Sequence, residues 1–185
     1  LHHVPHAVND TVFSKIENTD LVKQFKKENN IGVDSKGNKR FVFFWNNRNA
    51  RRKQSGSLMF WYNDFLDKVG RDKSTLIMHT EPKDPNGQDL IAIKERLNLD
   101  DDQFKISSSK LTIQQLSLLY NSVDCTVNIS DAEGFGLATL ESLATETPII
   151  VNMTGGLQEQ VTDGSSWFGY GIEPCAKAII GSQDV

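Results

Sequence analysis

The sequence predicts an α/β protein of the Rossmann-like type, a doubly wound parallel sheet with helices on both faces. Short apolar strand segments alternate with longer helical segments from residue 38 onward, which is typical of parallel strands joined by crossover helices. The alternation repeats often enough to fill one doubly wound sheet. A chain of 185 residues can bury the core of one such domain, with an appended segment.

We expect two parts along the chain. Residues 1–37 read as an irregular, polar entry segment, and residues 38–185 as the Rossmann-like domain. The predicted strands are Arg40–Trp45, Thr75–His79, Phe104–Ser107, Cys125–Ile129 and Pro148–Asn152. The predicted helices are Ser57–Val69, Gln88–Leu97, Thr112–Ser122, Gly136–Thr145 and Leu157–Val161. The chain starts at Leu1 and stops without a closing element, so we expect an excised piece of a longer protein.

Two segments carry clear local signals. Thr112 can cap a helix while Gln115 reaches back in a capping box, and Leu116 and Leu119 follow at helical spacing. The segment from Glu81 to Gly87 contains two prolines and an Asn-Gly pair, which predicts a loop. Because this loop follows a strand, we expect it on the ligand side of the sheet.

The charge balance argues against a nucleic-acid partner. The chain has 20 basic and 24 acidic residues and a net charge of -4, so it has no broad positive field to attract nucleic acid or an anionic membrane. Its longest apolar runs are far shorter than the roughly 20 residues that cross a bilayer, and no signal peptide is evident. We therefore expect a cytoplasmic protein that recognises its ligand locally.

The cysteines and histidines predict neither a disulfide scaffold nor a metal site. Cys125 and Cys175 are too few for a disulfide scaffold, and Cys125 lies in an apolar strand where a buried thiol is expected. The four histidines do not have the spacing of a zinc site, and we expect no metal and no cofactor. No Ser/His/Asp or Cys/His spacing indicates acyl transfer.

The most informative motif is Glu133-Gly134-Phe135-Gly136-Leu137, followed by Glu141. The glycines permit close approach of a ligand to the backbone, and the start of a helix attracts phosphate. If Glu133 sits at the turn and Glu141 two helical turns further on, about 1.5 Å of rise per residue separates the two acids by roughly 12 Å, too far for both to act on one sugar bond as a glycosidase pair does. The spacing therefore indicates an elongated ligand with central phosphates, such as a nucleotide sugar. Acids near a helix start are also stabilised by the dipole without any ligand.

A basic loop is the second candidate. Four cations follow the first strand in an otherwise acidic chain, and Arg48 and Lys53 could neutralise a diphosphate there. The alternative is a solvated basic turn. Gly155-Gly156 after the fifth strand could be either a ligand loop or an ordinary turn.

Together, Arg48 with Lys53, the motif from Glu133 to Glu141, Pro148 and Gly155-Gly156 resemble the retaining nucleotide-sugar glycosyltransferases of the GT-B fold, of the group 1 type. The resemblance implies a C-terminal, donor-binding domain, truncated at its C-terminus, whose N-terminal acceptor domain is absent. The entry segment is similar to the family's crossing between the two domains.

By that resemblance, Arg48 and Lys53 would bind the donor diphosphate and Glu133 would contact the transferred sugar, which makes these three the candidate catalytic residues. Glu141 would hold the ribose. The turn would contact the donor through Gly134, Phe135, Gly136 and Leu137. A weaker match would place the nucleotide base near Lys110 and Leu111. The donor would be linked to UDP or GDP, and transfer would need no metal.

The resemblance further implies a hexosyltransferase whose acceptor, a glycan, lipid or protein, binds the absent domain. It also allows the full-length protein to contact a membrane peripherally. The isolated piece would be inactive or weakly active. Two alternatives remain: a nucleotide-sugar epimerase on the same fold, and a non-catalytic binding or assembly module. Glu146 departs from the family, where a glycine usually ends the helix, so it must either adopt a left-handed conformation or change the helix end.

Overall fold

A computed structural model describes residues 6–174. His2, His3 and Cys175 lie outside the described residues, as do Val4 and Pro5 of the predicted domain crossing and the predicted truncated end.

The described chain forms a six-stranded parallel sheet with helices on both faces. Its strands are β1 Phe41–Asn46, β2 Ser74–His79, β3 Phe104–Ser107, β4 Cys125–Asn128, β5 Ile149–Asn152 and β6 Tyr170–Ile172. Its helices are α1 Thr19–Glu28, α2 Ser55–Val69, α3 Leu90–Arg96, α4 Ile113–Tyr120, α5 Leu137–Ala144 and α6 Leu157–Val161, with a short 3-10 helix at Arg51–Lys53. The predicted fold class is confirmed.

The strand order is β3-β2-β1-β4-β5-β6, and all neighbours pair in parallel. The order therefore reverses between β1 and β4, where Phe43 pairs with Cys125. In such sheets the ligand crevice lies beyond the carboxyl ends of the strands at that reversal. The loops after β1 and β4 carry the two predicted site motifs, so the topology places the motifs side by side.

Side chains of β1 alternate between the two faces of the sheet. Phe43 and Trp45 pack under α2 and α3, whereas Val42 and Phe44 pack on the other face with residues near α1 and α4. A central parallel strand is covered on both faces, which explains why its sequence is continuously apolar. A third, smaller cluster joins β5 to α6.

Two elements correct the sequence prediction. Helix α1 lies inside the segment interpreted as irregular, where the Asn18 side chain caps it and only half-buried Phe25 packs toward the core. No residue of α1 is fully buried, and its few apolar residues, Leu21, Val22 and Phe25, lie in a polar segment, so the sequence analysis missed the helix. Strand β6 is three residues long, and its apolar side chains are too few to predict a strand.

The local signals for α4 and for the end of α5 are confirmed in the structure. Thr112 caps α4, and the reciprocal capping box with Gln115 is present. After α5, Glu146 takes the left-handed conformation with φ +58°, the first of the two expected outcomes. No helix among residues 6–174 combines the length and apolar character needed to span a membrane.

Candidate functional site

A cleft of about 310 Å³ opens at the strand reversal. Asn47 directly follows β1, Glu133 to Gly136 end the loop between β4 and α5, and Leu137 and Ala138 begin α5. Its lining therefore comes from both loops and from the entry segment: His6, Asn47, Lys53, Glu133, Phe135, Gly136, Leu137 and Ala138.

Lys53 and Glu133 form an ion pair in the wall of this cleft. The Lys53 ammonium donates a hydrogen bond to Glu133 Oε2, and each side chain is about nine-tenths buried. Burial lowers the pKa of Lys53, although the hydrogen bond and the negative charge of Glu133 act in the opposite direction. An ammonium in this state gains from any further anion that enters the cleft.

Arg52 holds the turn that carries Glu133. Its Nη1 donates to the Ala132 carbonyl at 2.6 Å and lies 3.7 Å from Glu133 Oε2. The Asp131 N–H donates in turn to the Arg52 carbonyl at 2.8 Å, so the two loops are joined by backbone as well as by charge. The sequence analysis did not single out Arg52, because one cation in a run of four has no local signal of its own.

The turn before α5 depends on glycine. Gly136 takes φ +90° at the N-cap position, a conformation that disfavours any residue with a Cβ. No described residue accepts a hydrogen bond from the backbone N–H of Leu137 or Ala138, and both residues line the cleft. These N–H groups stand at the positive end of the α5 dipole, so the cleft has the features of an anion site.

Gly155 and Gly156 support this turn from the neighbouring loop after β5. A Cβ on Gly155 would collide with the Glu133 carbonyl, and one on Gly156 would lie 2.7 Å from Phe135 Cα. The Gly156 N–H also donates to the Glu133 carbonyl at 3.3 Å. Of the two interpretations left open, the described contacts are those of a packing turn that fixes Glu133.

Glu141 is held separately, by a partly buried hydrogen-bond chain. Its Oε2 accepts from the Tyr120 hydroxyl at 2.8 Å, and the hydroxyl accepts from Asn46 Nδ2 at 2.9 Å. Burial raises the pKa of Glu141 against the opposing effect of the Tyr120 hydrogen bond. Only part of the motif is helical, because α5 begins at Leu137 and Glu133 precedes it.

The structure does not bring Arg48 to the cleft. Its guanidinium is 65% exposed and makes two hydrogen bonds to Asp84, Nε to Oδ2 at 2.7 Å and Nη2 to Oδ1 at 3.2 Å. Asp84 belongs to the predicted loop after β2, and buried Asn49 donates to the Pro82 and Gln88 carbonyls of the same region. The loops after β1 and β2 are thereby tied together.

The two residues matched to base contact lie apart from the cleft. Leu111 lines a second cavity, also of about 310 Å³, between the end of β3 and α1. Ser107, Ser108 and Ser109 form its polar edge. Lys110 is exposed and is not among the residues that line this cavity.

His6 and Asn47 are cleft residues that the sequence analysis did not identify as site residues. The His6 ring meets Phe135 edge-on with 5.1 Å between centroids. The Asn47 Nδ2 is buried without a hydrogen-bond partner in the described structure. Neither residue belongs to a recognisable motif, so only the fold reveals them.

The thiol of Cys125 is buried and has no disulfide partner among residues 6–174, and burial raises its pKa to about 12. Within residues 6–174, His, Cys, Asp and Glu side chains form no cluster of three that could hold a metal ion.

Comparison with known proteins points to a single family. The family model described as glycosyl transferases group 1 matches residues 84–181, just over half of the 185-residue chain. The match includes Glu133 and Glu141 and excludes Arg48 and Lys53. A D-inositol 3-phosphate glycosyltransferase from Corynebacterium urealyticum is 40% identical over 53 residues, which cover 29% of this chain and 12% of that relative.

Solved structures share the fold. The C-terminal domain of a group 1 family glycosyl transferase, LpcC, from Francisella tularensis has a TM-score of 0.68 at 23% identity, covering 92% of this chain and 82% of its own. Sucrose-phosphate synthase from Thermosynechococcus elongatus has a TM-score of 0.70 at 21% identity, covering 93% and 39%. HepE from Anabaena, solved in complex with UDP-glucose, has a TM-score of 0.68 at 18% identity, covering 91% and 42%. This chain therefore spans well under half of two of these solved chains.

Proposed function

This chain belongs to the group 1 glycosyl transferases, and we propose that its described domain binds the donor, a sugar linked to UDP or GDP. In the whole protein the sugar would pass to an acceptor held by another domain, with retention of configuration at the anomeric carbon and without a metal. The sugar would be a hexose. The isolated chain would bind the donor but transfer it weakly, because the acceptor has to be oriented by residues outside this domain.

One observation carries the proposal: Lys53 and the N-terminus of α5 line the same cleft, together with Glu133, which is ion-paired with Lys53. The Lys53 ammonium has three N–H donors, so two remain for a phosphate after the bond to Glu133. The N–H groups of Leu137 and Ala138 supply further donors at the positive end of the helix. Both sets favour the charge that develops on a departing nucleoside diphosphate.

Glu133 is proposed to contact the transferred sugar next to the diphosphate. Its charge beside a diphosphate would be unfavourable without compensation, and Lys53 and Arg52 supply that compensation. Phosphates arriving at Lys53 would restore the ammonium's preference for its charged form, since burial depresses its pKa in the unliganded protein.

Arg48 is proposed as a secondary diphosphate contact. To reach the phosphates it would have to leave Asp84, with which it forms a two-point ion pair. Breaking the ion pair with Asp84 costs free energy that offsets much of the gain from the new phosphate contact, so Lys53 should contribute more to donor affinity than Arg48.

Calorimetric titration of the chain with UDP and GDP tests the proposal. Lys53→Met should weaken the tighter of the two by about 10- to 100-fold, the value of a hydrogen bond to a charged group. Arg48→Met, the matched loss of a cation from the same loop, should weaken it by less. Equal affinity in the wild type and Lys53→Met would remove the phosphate site from this cleft.

Turnover needs the whole protein. Incubation with a UDP- or GDP-linked hexose and an acceptor should give a glycoside with the donor's anomeric configuration, read by NMR coupling constants. The yield should be unaffected by EDTA. An inverted product, or an isomerised donor with no transfer, would contradict the proposed reaction.

A further inference from the structure

A partly buried hydrogen-bond chain runs from the end of β1 through α4 to α5. Asn46 Nδ2 donates to the Tyr120 hydroxyl at 2.9 Å, and that hydroxyl donates to Glu141 Oε2 at 2.8 Å. The amide nitrogen of Asn46 has no acceptor capacity and an ionised Glu141 has no donor, so the single hydroxyl proton must point toward Glu141. The hydrogen bonds therefore run in one direction, from Asn46 through Tyr120 to Glu141.

The Tyr120 ring cannot easily reorient. It is fully buried, with edge-on contacts to Phe44 at 5.3 Å and to Phe13 at 6.1 Å between ring centroids. The Tyr120 carbonyl also accepts from Thr147 Oγ1 at 2.8 Å, which anchors the end of α4. The hydroxyl is thus delivered to Glu141 from a rigid support.

Only one carboxylate oxygen of Glu141 is used in this way. Oε2 accepts from Tyr120, whereas Oε1 accepts no hydrogen bond from any residue between 6 and 174. An ionised carboxylate can accept from two sides at once. Glu141 is therefore left with one oxygen for a ligand hydroxyl.

We propose that Tyr120 is a positioning residue that fixes the Glu141 carboxylate for the ribose hydroxyls of the nucleotide, with Asn46 orienting the tyrosine. This inference rests on the proposed function and on the expectation, carried over from the family resemblance, that Glu141 holds the ribose. Without Tyr120 the carboxylate keeps its place in α5 but loses the group that selects its rotamer. The consequence is a loss of nucleotide affinity that leaves phosphate binding intact.

Calorimetry with two kinds of ligand separates this role from a general structural one. The wild-type protein, Tyr120→Phe, Glu141→Ala and the double variant are each titrated with UDP, GDP and inorganic pyrophosphate. Tyr120→Phe should weaken the preferred nucleoside diphosphate about fivefold, the value of one hydrogen bond, and leave pyrophosphate affinity unchanged. Glu141→Ala should weaken it by more, and adding Tyr120→Phe to it should cause no further loss.

Tyr62→Phe is the matched control. Tyr62 is another buried tyrosine, and its hydroxyl donates to the Gln103 carbonyl at 3.0 Å and contacts Ser74 Oγ at 3.1 Å, away from the cleft. Its loss should lower stability without changing the affinity for either ligand. Asn46→Ala is a second variant that retains the Tyr120 hydroxyl, and it should weaken the nucleotide selectively but by less than fivefold.

The failures of the two proposals can be told apart. If Glu141→Ala weakens the nucleotide and Tyr120→Phe does not, the positioning role is wrong and the proposed function stands. Equal losses for nucleotide and pyrophosphate in Tyr120→Phe, or additive losses in the double variant, also overturn the positioning role. If neither UDP nor GDP binds the wild-type chain, the proposed function fails and this inference fails with it.

Discussion

Gly155→Ala tests whether the loop after β5 sets the position of Glu133. Gly155 has φ +48°, a conformation that costs an alanine about 1–2 kcal/mol. The added Cβ would also collide with the Glu133 carbonyl, and because the nearest atoms all belong to the Glu133 backbone, no side-chain rotation can relieve the collision. Overpacking of this kind typically costs about 1–3 kcal/mol more, so we expect a total loss of about 2–5 kcal/mol in the free energy of unfolding.

Gly164→Ala isolates the collision from the backbone conformation. Gly164 has φ +89° but no heavy atom within 4 Å of an added Cβ. It should therefore lose only the conformational part, about 1–2 kcal/mol. The difference between the two variants is the cost of contact with the Glu133 turn.

Urea denaturation followed by fluorescence gives the two free energies, and calorimetry with UDP and GDP gives the affinities. Gly155→Ala should lose nucleotide affinity because the Glu133 turn must move, whereas Gly164→Ala should keep it. If both variants lose the same stability, the close packing of Gly155 on Glu133 is refuted. If Gly155→Ala binds as well as the wild type, the position of Glu133 does not govern donor binding.

Four further outcomes follow from the geometry. Glu146→Gly should raise the free energy of unfolding by up to about 1 kcal/mol in urea denaturation, because it relieves a left-handed conformation and loses only an exposed ion pair with Lys15. Asn49→Ala should lower it by about 2–3 kcal/mol in the same assay, because its buried amide donates to Gln88 O at 2.7 Å and accepts from Ser55 Oγ at 2.7 Å. In a Cys175→Ser background, Cys125 should resist iodoacetamide at about pH 8 unless urea is added, because burial raises its pKa to about 12. Since that folded value exceeds the unfolded one of about 8.5, the contribution of Cys125 to stability should be complete below about pH 8.5 and fall as pH rises toward 12.

Each of these predictions can fail. Lower stability in Glu146→Gly would mean that the Lys15 ion pair outweighs the backbone conformation. A loss below about 0.5 kcal/mol in Asn49→Ala would mean that the two loops do not depend on its amide. Rapid labelling of Cys125 in the absence of urea would show that the thiol is accessible in the folded protein.

Most of the helices and strands could be predicted because their signals are local. The continuous apolar run of β1 predicts a strand covered on both faces, and the pair Thr112 and Gln115 predicts the start of α4. Helix α1 was missed although Asn18 caps it, because its few apolar residues lie in a polar segment and none of its side chains is fully buried. Its existence depends on packing against the rest of the domain.

The candidate site shows the same division. The residue types in the motif from Glu133 to Glu141 predict an anion-binding turn followed by a helix, and the structure has α5 beginning at Leu137. The distances between side chains could not be predicted, because they join residues far apart in sequence. Arg48 meets Asp84 and Lys53 meets Glu133, whereas the basic loop by itself gave no reason to assign the two cations different partners.

By itself the sequence determined the alternation of strands and helices, the turn residues and the chemistry of the two loops, since each depends on neighbours within a few positions. The tertiary structure decided which loops meet, because the strand order places β1 beside β4 although about 80 residues separate them. It also gives Arg52 and Tyr120 their roles, because each contacts a residue far away in the sequence, Ala132 and Glu141. Hydrogen bonds and charges act over a few ångströms of space, and only the folded chain sets those distances.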